Sequence, residues 1–156
     1  MTTLIECIPN VSEGRRPEVV AAIRAAALSA GPGVLLLDWT SDADHNRSVL
    51  TFLGDGPGLL RAMEAMVAET LLHVDLTKHE GEHPRLGAVD VIPFVPIRGA
   101  STADCVALAK ELGARLAERH RLPVYLYEDA ATSEPRRNLA TIRKGEFEGL
   151  AEKMKS

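Results

Sequence analysis

Two polar stretches of the 156-residue sequence concentrate side chains that move protons or hold anions. They are Asp42-Ala43-Asp44-His45-Asn46-Arg47 and His79-Glu80-Gly81-Glu82-His83-Pro84-Arg85. Each sets carboxylates, imidazole and guanidinium in one short loop, where functional groups concentrate when a scaffold holds them. An imidazole with an ordinary pKa of about 6.5 can take a proton from an attacking amine and return it to a departing one. A guanidinium, Arg47 or Arg85, can grip a carboxylate with two parallel hydrogen bonds. The set therefore suits transfer of an acyl-type group between two nitrogens. No G-x-S-x-G elbow is present, and Ser12, Ser41 and Ser48 have no evident partner in the sequence, so direct transfer without a covalent enzyme intermediate is the simpler expectation. The competing reading of both stretches is a solvated turn.

The second stretch also spells H-E-x-x-H, the pattern of helix-borne zinc proteases. That chemistry needs both histidines on one face of a continuous helix, with Glu80 as base. Gly81 weakens helix, Pro84 drives His83 out of helical geometry, and no downstream motif offers a third ligand. No metal site is expected. Gly54–Gly58 matches no phosphate-binding fingerprint and reads as a turn before a helix. His45 is either a second acid–base group or a loop residue. His73 reads as structural or exposed, and His120 as a cation favoured by a helix end.

The elements that must position these loops follow from periodicity. Residues 3–9 read as a strand. Pro17–Ala30 reads as a helix opened by proline and closed by Gly31-Pro32-Gly33. Val34–Asp38 is an apolar strand, 39–47 a loop, and Arg47–Leu53 an alternating strand completing a hairpin. A helix is expected from about Leu59 to Asp75. Val89–Ile97 reads as a strand whose Pro93 and Pro96 suit a sheet edge. Ser101–Asp104 signals a helix start, with the helix running to about Arg121. Pro123–Tyr127 reads as a last strand, Leu139–Arg143 as a short helix, and the tail from about 144 as fraying. The order predicts an α+β fold, a ferredoxin-like βαββαβ core with an added helix and strand. A mixed sheet with helices on one face is expected, its other face left for a second subdomain or another copy.

Composition bounds the function. Hydrophobic residues at 46% and charged residues at 26% are ordinary globular values and fit one domain spanning 1–156. Eighteen Lys and Arg against 22 Asp and Glu give a net charge of -4, which argues against binding nucleic acid through bulk positive charge. Aromatics at 4% weaken any base-stacking platform. Cys7 and Cys105 lie in apolar stretches and read as buried thiols in a reducing cytoplasm. No apolar run reaches the length of a membrane span, and MTTLIECIPN does not read as a secretory leader.

Four segments carry a resemblance: ECIPNVSEGR (6–15), LLLDWTSDADHNRSVLTFLG (35–54), KHEGEHPRLGAVDVIPFVPIRG (78–99) and PVYLYEDAA (123–131). Through them the chain resembles the N-terminal subdomain of glutamate formimidoyltransferase, the formiminotransferase part of formiminotransferase-cyclodeaminase. The resemblance implies transfer of a formimidoyl group from N-formimidoyl-L-glutamate to N5 of tetrahydrofolate, which acts as co-substrate, within histidine catabolism and one-carbon metabolism. It places the catalytic histidine in E-H-P-R, at His83. Asn10, Asn46, Arg47, Glu82, Arg85 and Arg98 are the expected substrate contacts. Family members hold substrates between two subdomains, so a C-terminal subdomain or a second copy is the expected partner, and the alternative is a folate-binding or dimerisation module without turnover of its own.

Overall fold

The computed structural model describes residues 3–81, 87–150 and Met154. Six strands form one sheet: β1 (Leu4–Cys7), β2 (Asn10–Val11), β3 (Leu35–Asp42), β4 (Arg47–Gly54), β5 (Val89–Val91) and β6 (Phe94–Arg98). β1 and β2 are two parts of one line of chain broken at Pro9, and β5 and β6 are two parts of another broken at Pro93. The breaks lie side by side, where Ile8 N–H donates to the Pro93 carbonyl at 3.2 Å and Leu50 N–H to the Pro9 carbonyl at 3.1 Å. A proline cannot donate to a ladder, so each interrupts its strand without parting the lines. Across the sheet the order is β5/β6, β1/β2, β4, β3. The proline-bearing line is an edge, as its sequence predicts.

The sheet is antiparallel at every pairing among the described residues, not mixed. The reason lies in the crossovers. β1 and β3 run the same way, joined through helix α1 (Pro17–Ala30), but β4 slips between them. β4 and β6 likewise run the same way, joined through α2 (Gly56–His73), with β1 between. Helix α3 (Thr102–His120) follows, and a short α4 (Leu139–Arg143) comes near the end.

All three long helices pack on one face. Their Val19, Ile23, Ala27, Leu59, Met63, Met66, Val67, Leu112 and Leu116 meet Ile5, Cys7, Val11, Leu50 and Phe52 of the sheet in a single core. β4 alternates between this core and the other face, with Ser48, Leu50, Phe52 and Gly54 inward. The other face carries Leu35, Val95 and Ile97 exposed, so the α+β class and the one-sided helical layer stand. No helix among the described residues is long and apolar enough to cross a membrane.

Two further expectations are corrected. Residues 39–42 are strand, not loop: β3 continues to Asp42, pairing Trp39 with Leu50, Thr40 with Val49, Ser41 with Ser48 and Asp42 with Arg47. Residues 123–127 form no strand. Their Val124, Tyr125, Leu126 and Tyr127 instead face a cavity of about 850 Å³ between the segment, α3 and β5/β6. Pro123 removes a backbone donor at the segment's start; Tyr125, Leu126 and Tyr127 are half-buried against helix and sheet without a ladder partner, and Val124 stays exposed.

Candidate functional site

Three loops meet at one end of the sheet, where β2 stops, β4 begins and β5 begins. The first, residues 12–16, leaves β2. Its Ser12 is 2% exposed; the hydroxyl donates to the Gly87 carbonyl at 2.9 Å and the backbone N–H to the Ala88 carbonyl at 2.8 Å. Glu13 is also buried, and its carboxylate accepts from the backbone N–H groups of Arg15 (3.0 Å) and Arg16 (3.1 Å) and from Arg16 Nε (2.7 Å). A buried carboxylate needs such partners, because an unpaired one costs several kcal/mol or more. Arg16 also donates to the carbonyl of His73 at 2.7 Å, tying the loop to the end of α2.

The second loop is the hairpin turn between β3 and β4. Asp42 Oδ1 accepts from the N–H groups of Asp44 (2.9 Å) and His45 (3.0 Å), the local bond by which aspartate builds turns. Asp42 Oδ2 lies 2.9 Å from His45 Nδ1. The His45 backbone N–H first, and its ring second, hold the Asp42 carboxyl below the usual carboxylate range. Asn46 closes the turn at φ 52°, a left-handed conformation that asparagine tolerates better than most residues. Below the turn Ser48 Oγ donates to the Glu13 carbonyl at 2.5 Å, and Ser41 and Ser48 hydroxyls pair at 2.7 Å.

The third loop begins where the 3₁₀ turn Leu76–Lys78 ends. His79 to Gly81 are not helical. The continuous helix that the H-E-x-x-H mechanism requires does not form over them. His79 Nε2 lies 3.0 Å from the Asn46 carbonyl.

Two glycines allow the loops this close. A Cβ on Gly14 would lie 2.3 Å from the Asp42 carbonyl oxygen, and one on Gly81 would lie 2.3 Å from that of His45. The first and third loops thus press against opposite ends of the same turn, at a spacing only glycine permits.

The expected site residues divide as follows. Asn10, Asn46 and Arg47 come together at this end of the sheet, with Asn10 paired to Val49, two residues from Arg47 at the start of β4. Arg98 does not join them. It pairs with Leu4 at the opposite end of the sheet, roughly 20 Å away at ~3.3 Å per residue. His83, Glu82 and Arg85 lie outside the described residues; what the structure places is the chain on either side of them, Gly81 and Gly87. Ser12, Glu13 and Gly14 belong to the cluster although their types alone do not assign them, and His79 of the second polar stretch joins them. Asn10, Asn46, Arg47 and His79 do not line the 850 Å³ cavity, whose wall is mostly apolar. The polar loop cluster is thus separate from this mostly apolar cavity. Among the described residues no three His, Cys, Asp or Glu side chains converge as a metal-binding set.

Comparison with known proteins gives this arrangement its context. The family described as "Formiminotransferase domain, N-terminal subdomain" matches residues 4–156. A glutamate formimidoyltransferase of Streptococcus pyogenes serotype M1 is 48% identical over 154 residues, covering 99% of this chain and 51% of that protein. The formimidoyltransferase-cyclodeaminase of Mus musculus is 47% identical over 156 residues, 99% of this chain and 28% of that protein. A glutamate formimidoyltransferase of Thermoplasma acidophilum is 44% identical over 146 residues, 94% of this chain and 48% of that protein. The chain thus spans about half or less of the length of these relatives. With a family match that runs from the first strand to the last residue, the chain belongs to the formiminotransferase N-terminal subdomain family.

Proposed function

We propose that this chain supplies the histidine-bearing half of a glutamate formimidoyltransferase, moving a formimidoyl group from N-formimidoyl-L-glutamate to N5 of tetrahydrofolate. What supports the reading is the convergence of three polar loops at one sheet end, the third of which leads directly into Glu82-His83-Pro84-Arg85. The reaction needs little more than such a cluster can give. The N5 amine attacks the formimidoyl carbon and forms a new C–N bond. The tetrahedral intermediate then expels glutamate as the old C–N bond breaks. One proton must leave N5 and one must reach the glutamate nitrogen. A single imidazole, His83, does both, first as base and then as acid. The guanidinium groups of Arg47 and Arg85 suit the substrates' carboxylates, and Asn10 and Glu82 suit polar contacts beside them. Arg98, at the opposite end of the sheet, suits only a substrate that extends along it.

The alternative is a folate-binding or dimer-forming module with no turnover of its own. One assay separates the two. Glutamate release from formimidoylglutamate in the presence of tetrahydrofolate is measured with the chain alone and with a formiminotransferase C-terminal segment added. The transferase reading expects turnover in at least one arm and a loss of 100-fold or more in kcat in His83→Ala. Folate binding without turnover in both arms, or full turnover in His83→Ala, would overturn it.

A further inference from the structure

We infer that Asn46 is a positioning residue: it clamps the third loop to the first through the hairpin turn and so sets where the chain enters the segment at 82. The inference rests on the transferase reading for its consequence, but not for its geometry. Asn46 is 8% exposed and uses three of its polar atoms on three different partners. Its Oδ1 accepts from the Gly14 N–H at 2.9 Å. Its Nδ2 donates to the Glu80 carbonyl at 3.0 Å. Its own carbonyl lies 3.0 Å from His79 Nε2, which donates to it. One residue therefore ties residue 14 to residues 79 and 80, each 32 to 34 positions from it in sequence.

The rest of the neighbourhood shows why the tie must be specific. Gly81 runs so close to the hairpin turn that a Cβ would collide with the His45 carbonyl oxygen at 2.3 Å and with the Asn46 Cβ at 2.8 Å. At the far side of the undescribed positions Ser12 holds the Gly87 carbonyl, from the same first loop. The two ends of the third loop are thus both fastened to residues 12–14, one of them through Asn46. With both ends of its amide engaged by backbone, Asn46 acts on the loop. A side chain whose proton relay must reach two nitrogens in turn is sensitive to small shifts. A displacement near 1 Å can cost about 100-fold in rate.

Two substitutions separate the parts of the clamp. Asn46→Gly keeps the left-handed φ at no steric cost and removes the amide. Asn46→Asp keeps the acceptor for Gly14 and removes the donor to Glu80. Both are examined in whichever form shows turnover, the chain alone or completed by a second half, by steady-state kinetics and by amide hydrogen exchange. The clamp predicts at least tenfold faster exchange across residues 76–81 in both variants, with α3 unchanged. It predicts a 10- to 100-fold loss in kcat with either KM altered by less than about threefold. Unchanged exchange over 76–81 would overturn the clamp. Faster exchange with kcat intact, a rise in KM alone, or recovery of wild-type kcat in Asn46→Asp would overturn its role in turnover. If the unsubstituted protein shows no turnover in any form, faster exchange still upholds the clamp while the transferase reading falls.

Discussion

Asp90 on β5 and Arg143 on α4 form an ion pair across 53 positions of sequence, with the aspartate side chain 1% exposed and the arginine 20%. This contact draws the last helix of the described chain onto the edge of the sheet immediately after the third loop. Nearby, residues 144–149 continue as turns, with the Gly149 N–H on the Gly145 carbonyl at 2.8 Å.

Removing one partner of an enclosed pair leaves the other charge without compensation, which costs more than the pair contributes when intact. Arg143→Ala should therefore destabilise the fold by about 3 kcal/mol. For a domain of this size the melting temperature should fall by roughly 5–10 °C. Adding Asp90→Asn to Arg143→Ala should recover part of the loss. A shift below about 2 °C in a thermal melt would show that the pair does not hold α4.

Tyr127 faces the cavity close to the same pair. Burial pushes its phenol up to about 12; the Arg143 charge opposes the rise, while Glu128 and Asp90 add to it. In the unfolded chain the phenol ionises near its ordinary value of about 10. Between those values the unfolded state binds fewer protons than the folded one, so stability must fall as pH rises. The phenol's contribution is complete below about pH 10 and gone above about pH 12. Tyrosinate absorbance should show a late titration step, and Tyr127→Phe should remove it and flatten the decline in melting temperature across that window.

Cys7 and Cys105 are 0% and 5% exposed and unbridged. Burial first, then the neighbouring Cys105, raises the Cys7 thiol well above its ordinary value; burial, then Asp104, raises that of Cys105. Thiolate is the reactive form, so both thiols should be slow. At pH 8 a disulfide reagent should modify the folded chain at least about 100-fold more slowly than the chain in denaturant. Rapid labelling of either cysteine would contradict the packing around β1 and α3.

Much of this architecture is legible in the sequence where a local signal has a local cause. Pro17 and Gly31 bracket α1, and Ser101 with Asp104 forms a reciprocal capping box at 3.2 and 2.8 Å. Asn138 caps α4 through the Ala140 N–H at 2.9 Å. The start of α2 lies three residues before Leu59, because Gly-Pro-Gly reads as a breaker while Asp55 caps the helix through the Gly58 N–H at 2.7 Å. The last rungs of β3 are hidden because Thr40, Ser41 and Asp42 carry no apolar pattern. They are held by the ladder and by the Ser41–Ser48 hydroxyl pair. The segment at 123–127 has strand-like residues, yet its burial comes from α3 and the sheet's helical face. The polar loops themselves stand out by composition. That Ser12, Glu13 and Gly14 join them, and that Arg98 does not, depends on strand order and register, which no short stretch of sequence encodes.

Gly14 and Gly81 give the loop cluster an unusual genetic profile. Neither holds a functional group, yet each faces a carbonyl oxygen where every other amino acid would put a carbon. In a saturation library selected for a folded loop cluster, both positions should return only the original codon family. Neighbouring exposed carboxylates such as Asp44 should vary widely. Intolerance at these two sites would register the thickness of a peptide backbone, not the loss of any reagent.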